Sequence, residues 1–195
     1  MARSKSKRKT KSARKTGQAA RGRAPATQDA IALLKADHRQ VEAWFEEFES
    51  TRSDRRKLDL ARNICQALKV HTSIEEEIFY PAFLEATGDK EIHHEAEVEH
   101  DGAKKLIAQI QASSPDDDYF DAKVTVLSEM IKHHVKEEEK RGGMFSEARE
   151  AGMDLQVLGE QLKERKQELM SETPQRGGRP VPRRPGRSPA QYFRM

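Results

Sequence analysis

The chain has 195 residues, with 36 Lys and Arg against 33 Asp and Glu, a formal net charge of +3 and only 35% hydrophobic residues. That size suits one domain with spare, core-poor chain attached. No apolar run approaches the 18 residues of a membrane span, no apolar stretch follows the basic start as a secretory leader requires, and one cysteine, Cys65, excludes an internal disulfide framework and a thiolate zinc finger, so a reducing, cytoplasmic setting and no membrane are expected.

The small net charge hides a large separation. Residues 1–28 hold ten Lys or Arg and no acid, and residues 173–195 hold six Arg and no acid. With those sixteen cations set aside, 20 basic groups remain against 33 acidic ones, a net of −13 for the middle. Residues 1–26 are therefore expected to form a disordered basic tail, too poor in large apolar side chains to offset chain entropy. Residues 27–172 form the folded unit. Residues 173–195, rich in Pro, Gly and Arg, form a second disordered tail. Such arms either solvate the chain or bind phosphate backbones, so DNA or RNA is a candidate partner.

Within the body, only Pro81 and Pro115 interrupt residues 29–172, which permits long helices. The first is predicted from about Thr27, as N-cap, to Ser50, with Ile31, Leu34, Val41, Phe45 and Phe48 on one stripe and His38 among them. The second runs from about Ser53 to Ala86 on Leu58, Ala61, Cys65, Leu68, His71, Glu75, Ile78 and Ala82. The third runs from about Asp89 to Ala112 on His93, Ala96, His100, Ala103, Ile107 and Ile110. The fourth starts after Ser114, with Pro115 at its first position. Its stripe is Phe120, Val124, Leu127, Ile131, His134 and Glu138, and it breaks at Gly142-Gly143. A fifth, about Asp154 to Met170, carries Leu155, Leu158 and Leu162. No segment alternates with period two. The expected fold is all-α, an up-down-up-down four-helix bundle with an additional C-terminal helix.

Histidines and glutamates on apolar stripes need an explanation. A buried carboxylate costs several kcal/mol unless paired or bound to a cation. Glu75 follows His71 by four residues and Glu138 follows His134 by four, so each pair projects toward one point. A single His-x-x-x-Glu is usually an exposed pair, and glutamate runs such as 75–77 and 137–139 are mostly solvated faces. Here, however, His38, His71, His100 and His134 recur at intervals of 33, 29 and 34 residues, close to the step between midpoints of successive antiparallel helices. Six candidate ligands then meet at one level: His38, His71, Glu75, His100, His134 and Glu138. That exceeds one zinc site and suits two cations bridged by carboxylate. Iron is the choice for this thiolate-free set, and manganese and zinc accept the same donors. His133 points about 100° from its neighbour and stays outside the set. Trp44, Phe45 and Tyr80 are read as packing, and Cys65 as a small core residue.

These segments resemble the hemerythrin family, in particular bacterial hemerythrin-like HHE cation-binding domains. The resemblance runs through residues 30–38, ending at His38; through His71 to Glu76 with Phe79-Tyr80-Pro81; through Glu97 to His100; and through residues 133–139 with Met144-Phe145 beyond. It implies a four-helix bundle holding a non-haem, oxygen-bridged di-iron centre. The chain departs from the oxygen-carrying members, which have a second histidine one turn from the third-helix ligand; here the positions four away from His100 are Ala96 and Lys104. One iron is then expected to have fewer imidazoles, with Glu97 a candidate supplement. That suits binding or sensing oxygen, peroxide or nitric oxide, or handling iron under oxidative stress, better than oxygen carriage. The alternative is a nucleic-acid-associated protein whose metal bundle is structural or protective. No separate general base or nucleophile is evident. A ferritin-like oxidase needs Glu-x-x-His on two helices, and both copies here fall on one.

Overall fold

The computed structural model describes residues 28–172; the flanks read above as basic tails lie outside the described residues. Among the described residues all regular structure is helical. Helices α1 (Ala30–Ser50), α2 (Asp54–Ile74), α4 (Lys90–Gln111) and α5 (Phe120–Glu139) form the bundle, with α1 packed on α2 and α5, and α4 packed on the same two. Shorter α3 (Tyr80–Thr87) and α6 (Met144–Glu150) close one end, and α7 (Leu155–Glu172) lies along α1 and α2. None of these helices is long and apolar enough to cross a membrane.

The caps follow the local chemistry. Asp29, rather than Thr27, caps α1 by accepting from the Ala32 N–H at 2.7 Å. Ser53 caps α2, and Asp89 caps α4 by accepting from two N–H groups. Gly88, at φ +70°, ends α3 in the left-handed region that favours glycine. Pro115 does not start α5. Asp117 accepts from the Tyr119 N–H at 2.8 Å and holds a turn there, so the helix begins five residues after the proline. Met144-Phe145 opens α6, a short helix that the break at Gly142-Gly143 separates from α5.

The second predicted helix is interrupted. After Glu75 the chain makes a π-turn, Glu75–Phe79, in which the Tyr80 N–H reaches back five residues to the Glu75 carbonyl. Pro81 has no N–H for the carbonyl of residue 77 and its ring would press on it, and the wider turn relieves both problems. The extra residue rotates everything beyond. The buried positions become Phe79, Tyr80 and Phe83, instead of the expected Ile78 and Ala82, which are only half-buried.

The core has two apolar halves. One is built on Val41, Phe45, Ile64, Leu68, Ile107, Phe120 and Leu127, and the other on Ile31, Leu34, Ile74, Phe79, Phe83, Phe145 and Leu162. Each fully buried large side chain contributes roughly 1.5–3 kcal/mol. Their sum is what allows the fold to carry a layer of buried polar groups between the halves.

Candidate metal centre

That polar layer consists of the six residues singled out from spacing. His38, His71, His100, His134, Glu75 and Glu138 are all buried, Glu75 completely and Glu138 to 3% exposure. The imidazoles meet in pairs. His38 Nε2 lies 3.0 Å from His71 Nε2, and His100 Nε2 lies 3.2 Å from His134 Nε2. The carboxylates stand between the pairs. Glu75 Oε2 is 3.2 Å from His71 Nε2 and 3.5 Å from His100 Nε2. Glu138 Oε2 is 3.4 Å from His38 Nε2 and 3.6 Å from His134 Nε2. Two groups result, His38–His71–Glu75 and Glu75–His100–His134, each with its ligand atoms within 4.8 Å of one another and with Glu75 common to both.

Behind the imidazoles lies a ring of outer carboxylates that the spacing argument missed. His38 Nδ1 is 2.8 Å from Glu139, His100 Nδ1 is 2.9 Å from Glu76, and His134 Nδ1 is 2.7 Å from Glu99. His71 Nδ1 faces Asp37 at 3.6 Å. Each acid sits beside a core residue and reaches the histidine of the next helix: from α1 to α2, from the π-turn after α2 to α4, from α4 to α5 and from α5 back to α1. A one-residue offset turns a side chain about 100° around the helix, from the core toward the neighbouring helix. Glu76, expected on a solvated face, is therefore a contact of His100, tied also to Lys104 at 2.6 Å.

The tautomers follow from this ring. An ionised carboxylate only accepts hydrogen bonds, so it holds the proton of its imidazole on Nδ1 and leaves Nε2 as a bare lone pair. In the His100–His134 pair the two Nε2 atoms face each other, and although burial opposes it, the charge of Glu138 and the hydrogen bond to Glu99 raise His134 above its ordinary 6.5. Nearby, both oxygens of Glu75 and Oε2 of Glu138 are buried without a hydrogen-bond partner. Burial, joined by the charges of Glu138, Asp37 and Glu76, pushes the Glu75 carboxyl well above its ordinary range. Burial also raises Glu138. It drives His38 well below 6.5, helped by His71 and His134, and lowers His100 to about 4 against the opposing pull of Glu76. The unpartnered Glu75 oxygens and Glu138 Oε2, set among imidazole nitrogens, fit a cation, whose charge favours ionised carboxylates and neutral imidazoles.

Tyr80, read from sequence as packing, belongs to this layer. Its buried hydroxyl lies 3.1 Å from His100 Nε2 and donates to Glu138 Oε1 at 3.3 Å. The π-turn brings it there. Glu97 is not brought in; it is exposed and faces His93 at 3.6 Å. His133 is 59% exposed, and His93 packs edge-on against Tyr80 with ring centroids 6.0 Å apart. Phe45 is core, as expected, and Cys65 is buried. Phe145 stacks on His38 at 5.9 Å. Beside the four imidazoles a cavity of about 10 Å³ is walled by Val41, Leu68, Ile131 and Val135. It has room for about one water-sized molecule.

Comparison with known proteins gives a family and a likeness of fold. The family described as Hemerythrin HHE cation binding domain matches residues 24–141. A crystal structure of a hemerythrin HHE cation binding domain-containing protein from Mycobacterium kansasii superposes with a TM-score of 0.62 at 20% identity, covering 73% of this chain and 88% of that one, a likeness of fold. A DNA nickase of a Nostoc species is 28% identical over 107 residues, which cover 55% of this chain and 30% of that relative's length.

Proposed function

The chain belongs to the hemerythrin HHE cation-binding domain family, and from that premise we propose that it is a non-haem di-iron protein of the cytoplasm. In this reading it binds or senses oxygen, peroxide or nitric oxide, or handles iron under oxidative stress. We assign His38, His71, His100 and His134, each through Nε2, as ligands, with Glu75 and Glu138 between the two pairs. The observation that carries the reading is the convergence of four imidazole Nε2 atoms and unpartnered buried carboxylate oxygens on one layer. Nitrogen and carboxylate donors without thiolate suit iron, and also manganese or zinc.

Two iron ions held there would supply a change of oxidation state and open positions for a small ligand. The protein's own groups set the conditions. Glu139, Glu76 and Glu99 hold the ring protons of His38, His100 and His134 on Nδ1 and keep those Nε2 atoms aimed inward. Val41, Leu68, Ile131 and Val135 make the adjoining cavity largely apolar and small, which favours a diatomic or peroxide-sized ligand over a larger anion. The Tyr80 hydroxyl donates to Glu138 and orients that carboxylate. Iron analysis with an absorption spectrum in and out of air tests the reading. Two irons per chain are expected, with a spectrum that responds to oxygen. Absence of bound metal, with full helicity after exhaustive chelation, would reject it.

A second reading concerns the flanks. The segregation of basic groups into residues 1–28 and 173–195, together with the likeness to a DNA nickase, supports association with nucleic acid. In that case the full chain retards duplex DNA at low salt, with affinity falling steeply as salt rises, and a chain trimmed to residues 28–172 does not. Equal behaviour of the two chains would remove this reading and leave the metal centre untouched.

A further inference from the structure

We propose that Asp37 and Lys166 make the His38–His71 half of the centre its exchangeable half, an inference that rests on the metal-centre reading above. The four outer carboxylates are not equivalent. Glu139, Glu76 and Glu99 lie 2.7–2.9 Å from the Nδ1 atoms of His38, His100 and His134, within hydrogen-bond range. Asp37 Oδ2 stops 3.6 Å from His71 Nδ1, and both atoms are buried without a hydrogen-bond partner. That gap is too long for a direct bond and too narrow to seat a water between the two atoms.

Side-chain length and a tether account for the gap. The three acids that reach their imidazoles are glutamates, and the one that falls short is an aspartate, one methylene shorter. Glu76 reaches His100 while paired with Lys104, and Glu139 reaches His38 while paired with Lys35 and Arg39, because the longer stem spans both partners. Asp37 is held through Oδ1 by Lys166 Nζ and cannot also follow His71. Lys166 is itself fixed in place. It sits on α7, beyond the residues 24–141 that match the family. On the same helix Leu162 is fully buried, Arg165 pairs with Glu77 of the π-turn at 2.6 Å, and Gly159 lets α7 close on Gln28. An element outside the family match thus acts on a ligand of the centre, with Lys166 as a positioning residue.

An outer hydrogen bond fixes the tautomer and ring orientation of a metal-binding imidazole, and its loss weakens metal binding by about 10–100-fold. His38, His100 and His134 have that restraint. His71 lacks it, and the small cavity beside it, which Asp37 also lines, leaves its ring room to turn. A cation between His38 and His71 is therefore the first to leave, while one between His100 and His134 is retained.

The test loads the metal-free full chain with two equivalents of Co²⁺ at pH 7.5, adds excess EDTA and follows the visible band in a stopped-flow instrument. The native chain should lose its Co²⁺ in two phases of equal amplitude. Asp37→Glu supplies the missing methylene and should slow the fast phase by about 10–100-fold without changing the slow one. Lys166→Met, which unties Asp37, should slow the fast phase in the same sense, and Lys166→Arg should keep the native rate. In the metal-free chain, NMR should show hydrogen-bonded ring N–H groups on His38, His100 and His134, joined by His71 in Asp37→Glu. Release in a single phase, an unchanged fast phase in Asp37→Glu, equal slowing of both phases, or faster release from Lys166→Met would overturn the inference and leave the inner centre standing. Failure of the native chain to take up Co²⁺ would remove the metal-centre reading as well.

Discussion

Replacing Glu75 by glutamine separates the cost of the empty centre from the benefit of the filled one. Both Glu75 oxygens are fully buried and unpartnered, and burial with neighbouring negative charge raises the carboxyl well above 4.5. The folded metal-free chain therefore holds this proton more tightly than the unfolded chain does. The stability this group contributes is complete below about pH 4.5 and is lost as pH rises. At pH 7 the metal-free protein carries a penalty typical of an unmet buried polar group, roughly 1–3 kcal/mol, and Glu75→Gln should relieve most of it. At about 2–4 °C per kcal/mol for a body of this size, its metal-free melting midpoint should exceed the native one by roughly 3–10 °C. Near pH 4 the two should melt together. With saturating Fe²⁺ or Co²⁺ the order should reverse, because the variant lacks a carboxylate between the imidazole pairs and gains less from binding. Differential scanning calorimetry with and without metal, at pH 4 and pH 7, reads all four conditions. A lower metal-free midpoint for the variant at pH 7, or an equal gain from metal in both proteins, would refute the reasoning.

Other substitutions probe separate links. Glu76→Ala should weaken metal binding by about 10–100-fold in a competition titration, because His100 loses the carboxylate that orients it; native affinity would mean that the outer ring is idle. His71→Ala and Glu138→Ala should each lower the iron content of the purified protein, and full retention in either would remove that residue from the ligand set. Gly159→Ala should destabilise the fold by about 1–3 kcal/mol in chemical denaturation, since a Cβ there would lie 2.5 Å from the Gln28 carbonyl oxygen and 2.9 Å from the Ala30 nitrogen; an unchanged midpoint would show that α7 does not press on the start of α1. The Cys65 thiol is pushed up to about 12 by burial, so thiol reagents at pH 8 should label the unfolded chain and spare the native one.

The bundle and the inner six residues were legible because they obey one rule. Helical periodicity put His38, His71, His100 and His134 on apolar stripes, and near-equal intervals along the chain put them at one height. What that rule missed lies where the period changes or where the relevant neighbour is on another helix. The π-turn adds a residue after Glu75, so a continued 3.6 period pointed to Ile78 and Ala82 and left Tyr80 as packing. The outer carboxylates sit off the stripe and act on histidines of adjacent helices. A signal for them was present: Asp37-His38, Glu75-Glu76, Glu99-His100 and Glu138-Glu139 each join an acid to a core residue, on α1, on the π-turn after α2, on α4 and on α5. The start of α5 was misread because Pro115 marks a turn held by Asp117 as readily as a helix N-terminus.

The centre itself is tested most directly by anomalous diffraction at the iron absorption edge on crystals of the iron-loaded chain. Two adjacent peaks are predicted, one against His38 and His71 and the other against His100 and His134, with Glu75 and Glu138 between them. A single peak, or peaks lying away from these imidazoles, would contradict the account.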